Sequence, residues 1–186
     1  MRLRRTLGRF IVAAAVAAPL LAPGWALAAI PPPDVVPNPS RQPVFHPSQE
    51  SGVPVGLLRI PAIGVAEVIR SGVSLSVIDR GVAHWAGTAT AGEDGNVVLA
   101  GHRSTHSQPF RDLDRLSEDD LVFVTDGSGF EVMYRVTESF VVEPEDMWIT
   151  YDRVTPSLTM FACHPKGSAR FRLVVTAELV AGRRIA

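Results

Sequence analysis

From Val55 to about Val180 the apolar residues come in short runs divided by turn formers, which is the rhythm of strands. Phe130, Val132, Tyr134 and Val136 alternate with Glu131, Met133 and Arg135, so one face of that segment is apolar and the other mostly polar. Val97–Ala100 and Leu121–Val124 are compact apolar runs, bounded by Gly95-Asn96, Gly101 and Asp126-Gly127. Leu158–Cys163 and Phe171–Ala177 predict two more strands, and only Pro109–Leu116 has a helical character. No internal repeat is present. Several short strands separated by turns predict an all-β domain, an antiparallel barrel or a sandwich.

The amino-terminal quarter has a different pattern. Arg2, Arg4, Arg5 and Arg9 precede an uncharged stretch from Phe10 to Pro33, and Ala26-Leu27-Ala28 has the form of a processing site. The arrangement predicts export, by a signal peptide or a retained membrane anchor over residues 1–30, with the arginines on the cytoplasmic side. Pro19, Pro23 and Gly24 interrupt the apolar stretch, and cleavage and retention both stay open. Residues 31–54 contain Pro31, Pro32, Pro33, Pro37, Pro39, Pro43, Pro47 and Pro54. That composition predicts an extended, semi-rigid linker, although a tail without a role has the same composition. Residues 55–186 are left as the folded domain, and the 186 residues suffice for one sizeable core.

Charge narrows the partners. Removing the four leader arginines from the 18 basic residues leaves 14 against 19 acidic ones, a net of −5. A nucleic-acid partner, which requires a basic face, is disfavoured.

Candidate chemistry centres on Cys163, the one cysteine, at the end of an apolar run. In an oxidising compartment a lone cysteine has no intramolecular disulfide partner, so it is either an inert buried thiol or a reactive one. A reactive thiol needs positive charge and a base nearby. Arg172, nine residues on, opens the next strand, although an arginine there is more commonly a solvated edge charge. Of the histidines, His46 lies in the proline-rich segment, His84 reads as a packing or edge residue, and His164 should point away from Cys163 by strand alternation. His102 follows Gly101 at the end of the Asn96–Ala100 run, where a sheet can aim a side chain into a cleft. A competing chemistry uses His102, His106, Cys163 and His164 as zinc ligands of a hydrolase, but no helix presents that spacing.

Taken together, Leu58–Val65, Gly95–Arg103, Pro109-Phe110, Cys163–Lys166 and Ser168–Val175 resemble, in order and spacing, the sortases, most of all their class E branch. Sortases are membrane-associated cysteine transpeptidases of Gram-positive bacteria. The resemblance implies a closed eight-stranded β-barrel with short helical turns. It also implies a catalytic set of His102, Cys163 and Arg172, with Arg170 the less favoured arginine, and no cofactor or metal. The activity it implies is cleavage of a C-terminal sorting signal (LAxTG/LPxTG-like) through a thioacyl intermediate. Transfer would be to an amine of a cell-wall precursor or pilin, at the extracytoplasmic face of the membrane. The family's T-L-x-T-C signature reads Thr159-Met160-Phe161-Ala162-Cys163 here, and Ala162 removes a hydroxyl beside the nucleophile. That departure keeps an inactive peptide-binding module in play. Ala162, Thr159, Arg170 and Trp148 are the expected substrate contacts, with the Val142–Pro156 loop and its Tyr151 as one wall of the groove.

Overall fold

The computed structural model of the protein describes residues 33–36, 38 and 51–184. Its ten strands are β1 (Val35–Val36), β2 (Pro54–Ile60), β3 (Val65–Ser71), β4 (Val82–His84), β5 (Asn96–Ala100), β6 (Leu121–Asp126), β7 (Phe130–Val142), β8 (Asp152–Arg153), β9 (Ser157–His164) and β10 (Phe171–Arg184). Eight of them close into a barrel in the order β10-β7-β6-β2-β3-β4-β5-β9, as the resemblance implied. Closure leaves those strands no free edge. The all-β expectation holds, but the pairing is not wholly antiparallel, because β3 pairs parallel with β4 and β5 with β9. Parallel neighbours need a crossover rather than a hairpin, and the short helix α1 (Leu75–Ile78) lies in the one between β3 and β4. Within the stretch of helical character, Leu113–Arg115 forms one 3-10 turn.

Alternation sorts each strand between inside and outside. On β9, Leu158, Met160 and Ala162 point into the barrel with Leu173, Val175 and Ala177 of β10, Val97 and Leu99 of β5, and Tyr134 of β7. A fully buried aliphatic side chain of this kind stabilises by about 1.5–3 kcal/mol. The intervening residues face outward, and they are not bare. Val142, Trp148, Ile149 and Val174 form a second apolar cluster on the outer wall, with Val35, Phe140, Tyr151 and Phe161 packed against it. The connection from β7 to β9 therefore forms a second layer over part of the barrel.

Asn96 fastens that layer. Fully buried, its Nδ2 donates to the carbonyls of Ile149 (3.1 Å) and Tyr151 (3.0 Å), while its backbone N–H donates to Asp152 Oδ1 (3.1 Å). Its Oδ1 accepts from Thr159 Oγ1 at 2.9 Å. Carbonyls that would be orphaned beneath an irregular loop thus find donors.

Part of the proline-rich stretch joins this layer. β1 pairs antiparallel with β8, Asp34 bridges Arg153 at 2.6 Å, and Asn38 Nδ2 donates to Asp152 Oδ2 at 2.7 Å. At this point the expected linker is docked chain. The expected export segment, residues 1–30, lies outside the described residues, among which no helix is long and apolar enough to cross a membrane.

Candidate active site

The antiparallel register of β9 and β10 sets Arg172 directly across from Cys163. Side chains so paired share a face, with Cβ atoms about 4.5–5.5 Å apart. Alternation from Ala162 and Leu173, both in the core, turns that face to the outside of the barrel. Backbone pairing therefore sets Cys163 and Arg172 side by side on one face. Arg172 is held further by its own turn, as Nη1 donates to the carbonyls of Ala169 (2.9 Å) and Phe171 (3.0 Å). Cys163 is half-buried and free.

His102 arrives from β5, whose parallel pairing with β9 brings the two carboxyl ends to the same edge. Gly101 matters here through proximity, because a Cβ would meet the Phe110 ring at 2.8 Å and Pro109 at 3.1 Å. His102, Cys163, Arg172 and Ala162 line one cavity of about 410 Å³, whose further walls include Trp85 and Ile149. On its other side the His102 ring donates from Nε2 to Asp79 Oδ1 at 2.7 Å. That contact selects the Nε2–H tautomer of a neutral ring and leaves Nδ1 as the basic nitrogen. Asp79 caps the carboxyl end of α1, and nothing local in the sequence marks it as a partner of a histidine 23 residues away.

The two segments that carry these groups are tied to each other. Arg103, 2% exposed, bridges Asp114 at 2.8 Å and donates from Nη1 to His164 Nδ1 at 2.6 Å. Lys166 reaches Asp112 at 3.1 Å, and the Gly167 N–H donates to Ser104 Oγ at 2.8 Å. Partial burial pushes the Asp114 carboxyl up, yet the hydrogen bond and charge of Arg103, with Lys166 beyond, outweigh it and hold its pKa below the usual value. His164 is thereby occupied outside the cavity.

The expected substrate contacts fall in different places. Ala162 lines the cavity, whereas Thr159 is fully buried and spent on Asn96. Trp148 is buried and stacks on Phe140, with ring centroids 5.6 Å apart. Its neighbours Pro144, Asp146, Met147, Ile149 and Thr150 form the wall that the loop presents to the cavity. Arg170 lies over the Phe171 ring at 5.0 Å, away from the lining. The zinc set drawn from His102, His106, Cys163 and His164 is not assembled. Among the described residues the metal-capable group is Asp79, His102 and His106, with donors within 4.8 Å of one another.

The chain is similar to known proteins in sequence and in fold. The family model described as a sortase domain matches residues 58–180. Sortase SrtE1 of Streptomyces coelicolor is 32% identical over 151 residues, which cover 73% of this chain and 43% of that protein. SrtE2 of the same organism is 26% identical over 70% of this chain and 58% of its own length. The chain thus spans about half the length of these curated relatives. Among solved structures, sortase E1 of S. coelicolor with a tripeptide in its active site superposes with a TM-score of 0.67 at 28% identity, over 73% of this chain and 93% of that one. A Clostridium perfringens sortase D5 transpeptidase does so with a TM-score of 0.62 at 32% identity, over 69% and 79%.

Proposed function

The chain belongs to the sortase family, and on that premise we propose that it is a cysteine transpeptidase acting on C-terminal sorting signals of secreted proteins at the outer face of the membrane. The observation that carries the reading is the register that pairs Cys163 with Arg172 on the wall of a cavity shared with His102.

The chemistry follows from those three groups. The Cys163 thiol gives its proton to Nδ1 of His102, and the resulting thiolate attacks the scissile carbonyl carbon of an LAxTG- or LPxTG-like signal while the carbonyl electron pair moves onto oxygen. Arg172 stabilises that oxyanion with fixed positive charge, a contribution worth about two to three orders of magnitude in rate. As the tetrahedral intermediate collapses, the C–N bond breaks and His102 protonates the departing amine. A thioester remains. An incoming amine, from a cell-wall precursor or a pilin, then attacks the thioester while His102 takes its proton, and the thiolate leaves. Splitting one acyl transfer into two keeps each barrier low, and an imidazole has the proton affinity to serve both halves near neutral pH. The Asp79 carboxylate fits this role by holding the ring in one orientation.

Loss of a hydroxyl at Ala162 leaves an inactive peptide-binding module as the competing reading, and one experiment separates the two. The protein is incubated with a library of pentapeptide signals and an amine acceptor, and the intact chain is weighed by mass spectrometry. A mass increment matching an acyl fragment on Cys163, discharged when the amine is added, is the expected result. Binding of peptide without any adduct or product overturns it.

A further inference from the structure

We infer that Asp79, His102 and His106 together form a site for a divalent transition-metal ion such as zinc, and that its occupation reversibly shuts off the enzyme by engaging His102. The inhibitory consequence rests on the function proposed above, whereas the site rests on geometry alone.

Asp79 Oδ1 lies 2.7 Å from His102 Nε2 and 3.5 Å from His106 Nδ1, and one donor atom from each of the three residues falls within 4.8 Å of the others. Donors held about 2.0–2.2 Å from one tetrahedral zinc stand about 3.4 Å apart. The present spacing brackets that value, and a small swing of the exposed His106 ring closes the set. The proton on His102 Nε2 moves to Nδ1 as the ion takes its place, which removes the basic lone pair that the reaction needs. Two imidazoles and one carboxylate suit zinc, copper or cobalt and not calcium or magnesium, which prefer all-oxygen shells. Three protein ligands leave a fourth position for water.

The loop goes out of its way to place His106. His106 has φ of 54°, in the left-handed region, and so has Gln108 at 51°. For residues with a Cβ such a conformation costs about 1–2 kcal/mol each. What it achieves is a stacked pair of rings, His106 on His102, with centroids 4.7 Å apart and planes at 21°. Gln108 Nε2 donates back to the Ser104 carbonyl at 3.1 Å and the Phe110 N–H to the His102 carbonyl at 3.1 Å, which hold the loop in that shape. The His106 side chain is 48% exposed against 18% for His102, so an ion has an open approach. His106 itself does not line the cavity that holds the thiol.

The test has two arms on the full chain. In the first, zinc is titrated calorimetrically into Cys163→Ala protein, which removes the thiolate as a competing ligand. One zinc per chain is expected, and the further change His106→Gln should weaken binding at least tenfold. Absence of binding, or equal binding with and without His106, overturns the site. In the second arm, cleavage of a sorting peptide by protein with its thiol intact is followed against zinc concentration. Inhibition reversed by a chelator is expected, with the midpoint raised at least tenfold in His106→Ala while activity without zinc stays within about twofold. Equal sensitivity of the two proteins would mean that the ion acts at the thiolate, and the inhibitory claim fails. If no peptide is cleaved at all, the transpeptidase reading fails while the calorimetric arm still decides the site.

Discussion

Two cavities of nearly equal size differ in the state of their polar groups. The larger, about 460 Å³, opens among the inward faces of β3, β5 and β6, with Ile69, Val97, Leu99 and Val124 on its walls and His84 as its imidazole. The smaller, about 410 Å³, lies against the outer wall beside Cys163. His84 donates from Nε2 to the Ala89 carbonyl at 2.9 Å and toward Thr88 Oγ1 at 3.1 Å, while Thr88 Oγ1 donates to the Trp85 carbonyl at 2.7 Å. Asp126 on its rim is spent accepting from the Ser128 and Phe130 N–H groups. Polar atoms there are committed to holding the fold. At the smaller cavity a free thiol, an imidazole and a guanidinium line one surface, the imidazole held by Asp79 and the guanidinium by the carbonyls of its own turn. On the function proposed above, volume does not mark the reacting cavity, whereas a thiol, an imidazole and a guanidinium on one wall do.

The sharpest way to break the comparison is to remove groups on each side. Cys163→Ala should reduce peptide cleavage to background and abolish the acyl adduct, because the chain has no other thiol. Arg172→Ala should lower kcat by about 10²- to 10³-fold with the fold intact, since its side chain donates only to the neighbouring carbonyls of its own turn. Thr88→Ala, in the other cavity, should leave kcat within about twofold. An Arg172→Ala enzyme with near-normal kcat would strip the guanidinium of its proposed role, and a collapse of kcat in Thr88→Ala would erase the distinction between the cavities.

The legibility of the two regions also differed. The long strands are written in local periodicity, although β7 runs past the Phe130–Val136 alternation to Val142. β4, with three residues, carries too little pattern to be seen, and the parallel pairings of β3 with β4 and β5 with β9 are choices of distant partners that no local run encodes. His102, Cys163 and Arg172 stood out because their residue types imply chemistry and their spacing resembles a family. Asp79 did not, because a lone aspartate after a four-residue helix gains meaning only when the fold carries it to His102. Trp148 and Thr159 show the converse. Both sit in conspicuous places in the sequence, and both are consumed by packing of the outer layer against Phe140 and Asn96.

That outer layer gives the next prediction. Asn96→Ala leaves the Ile149 and Tyr151 carbonyls and the Thr159 hydroxyl without their partner in a buried place. Unsatisfied buried groups cost about 1–3 kcal/mol each, and partial rescue by water makes a total loss of about 2–4 kcal/mol reasonable. Thermal unfolding should drop by roughly 10 °C, and the KM for peptide should rise, since the wall built by Pro144–Thr150 loses its anchor. Unchanged KM in a destabilised protein would mean that this wall does not contact the substrate.

The smallest effect belongs to the barrel-mouth histidine, and it is a matter of sign. Burial lowers the pKa of His84, outweighing the upward pulls of its hydrogen bond to Ala89 and the charge of Glu93. The unfolded chain then binds a proton at about pH 6.5, where the folded chain still refuses it. A group whose folded pKa is depressed stabilises fully above the unfolded value and loses that contribution as pH falls through 6.5 toward the folded one. Urea midpoints should therefore be lower at about pH 5.5 than at about pH 7.5, and the difference should shrink in His84→Gln, which keeps a neutral donor for Ala89 but cannot charge. Because His84 lies outside the reacting cavity, the same substitution should leave the pH profile of kcat where it was. If that profile moved while the urea midpoints did not, His84 would belong with the reacting groups, and the line drawn between the two cavities would have to be redrawn.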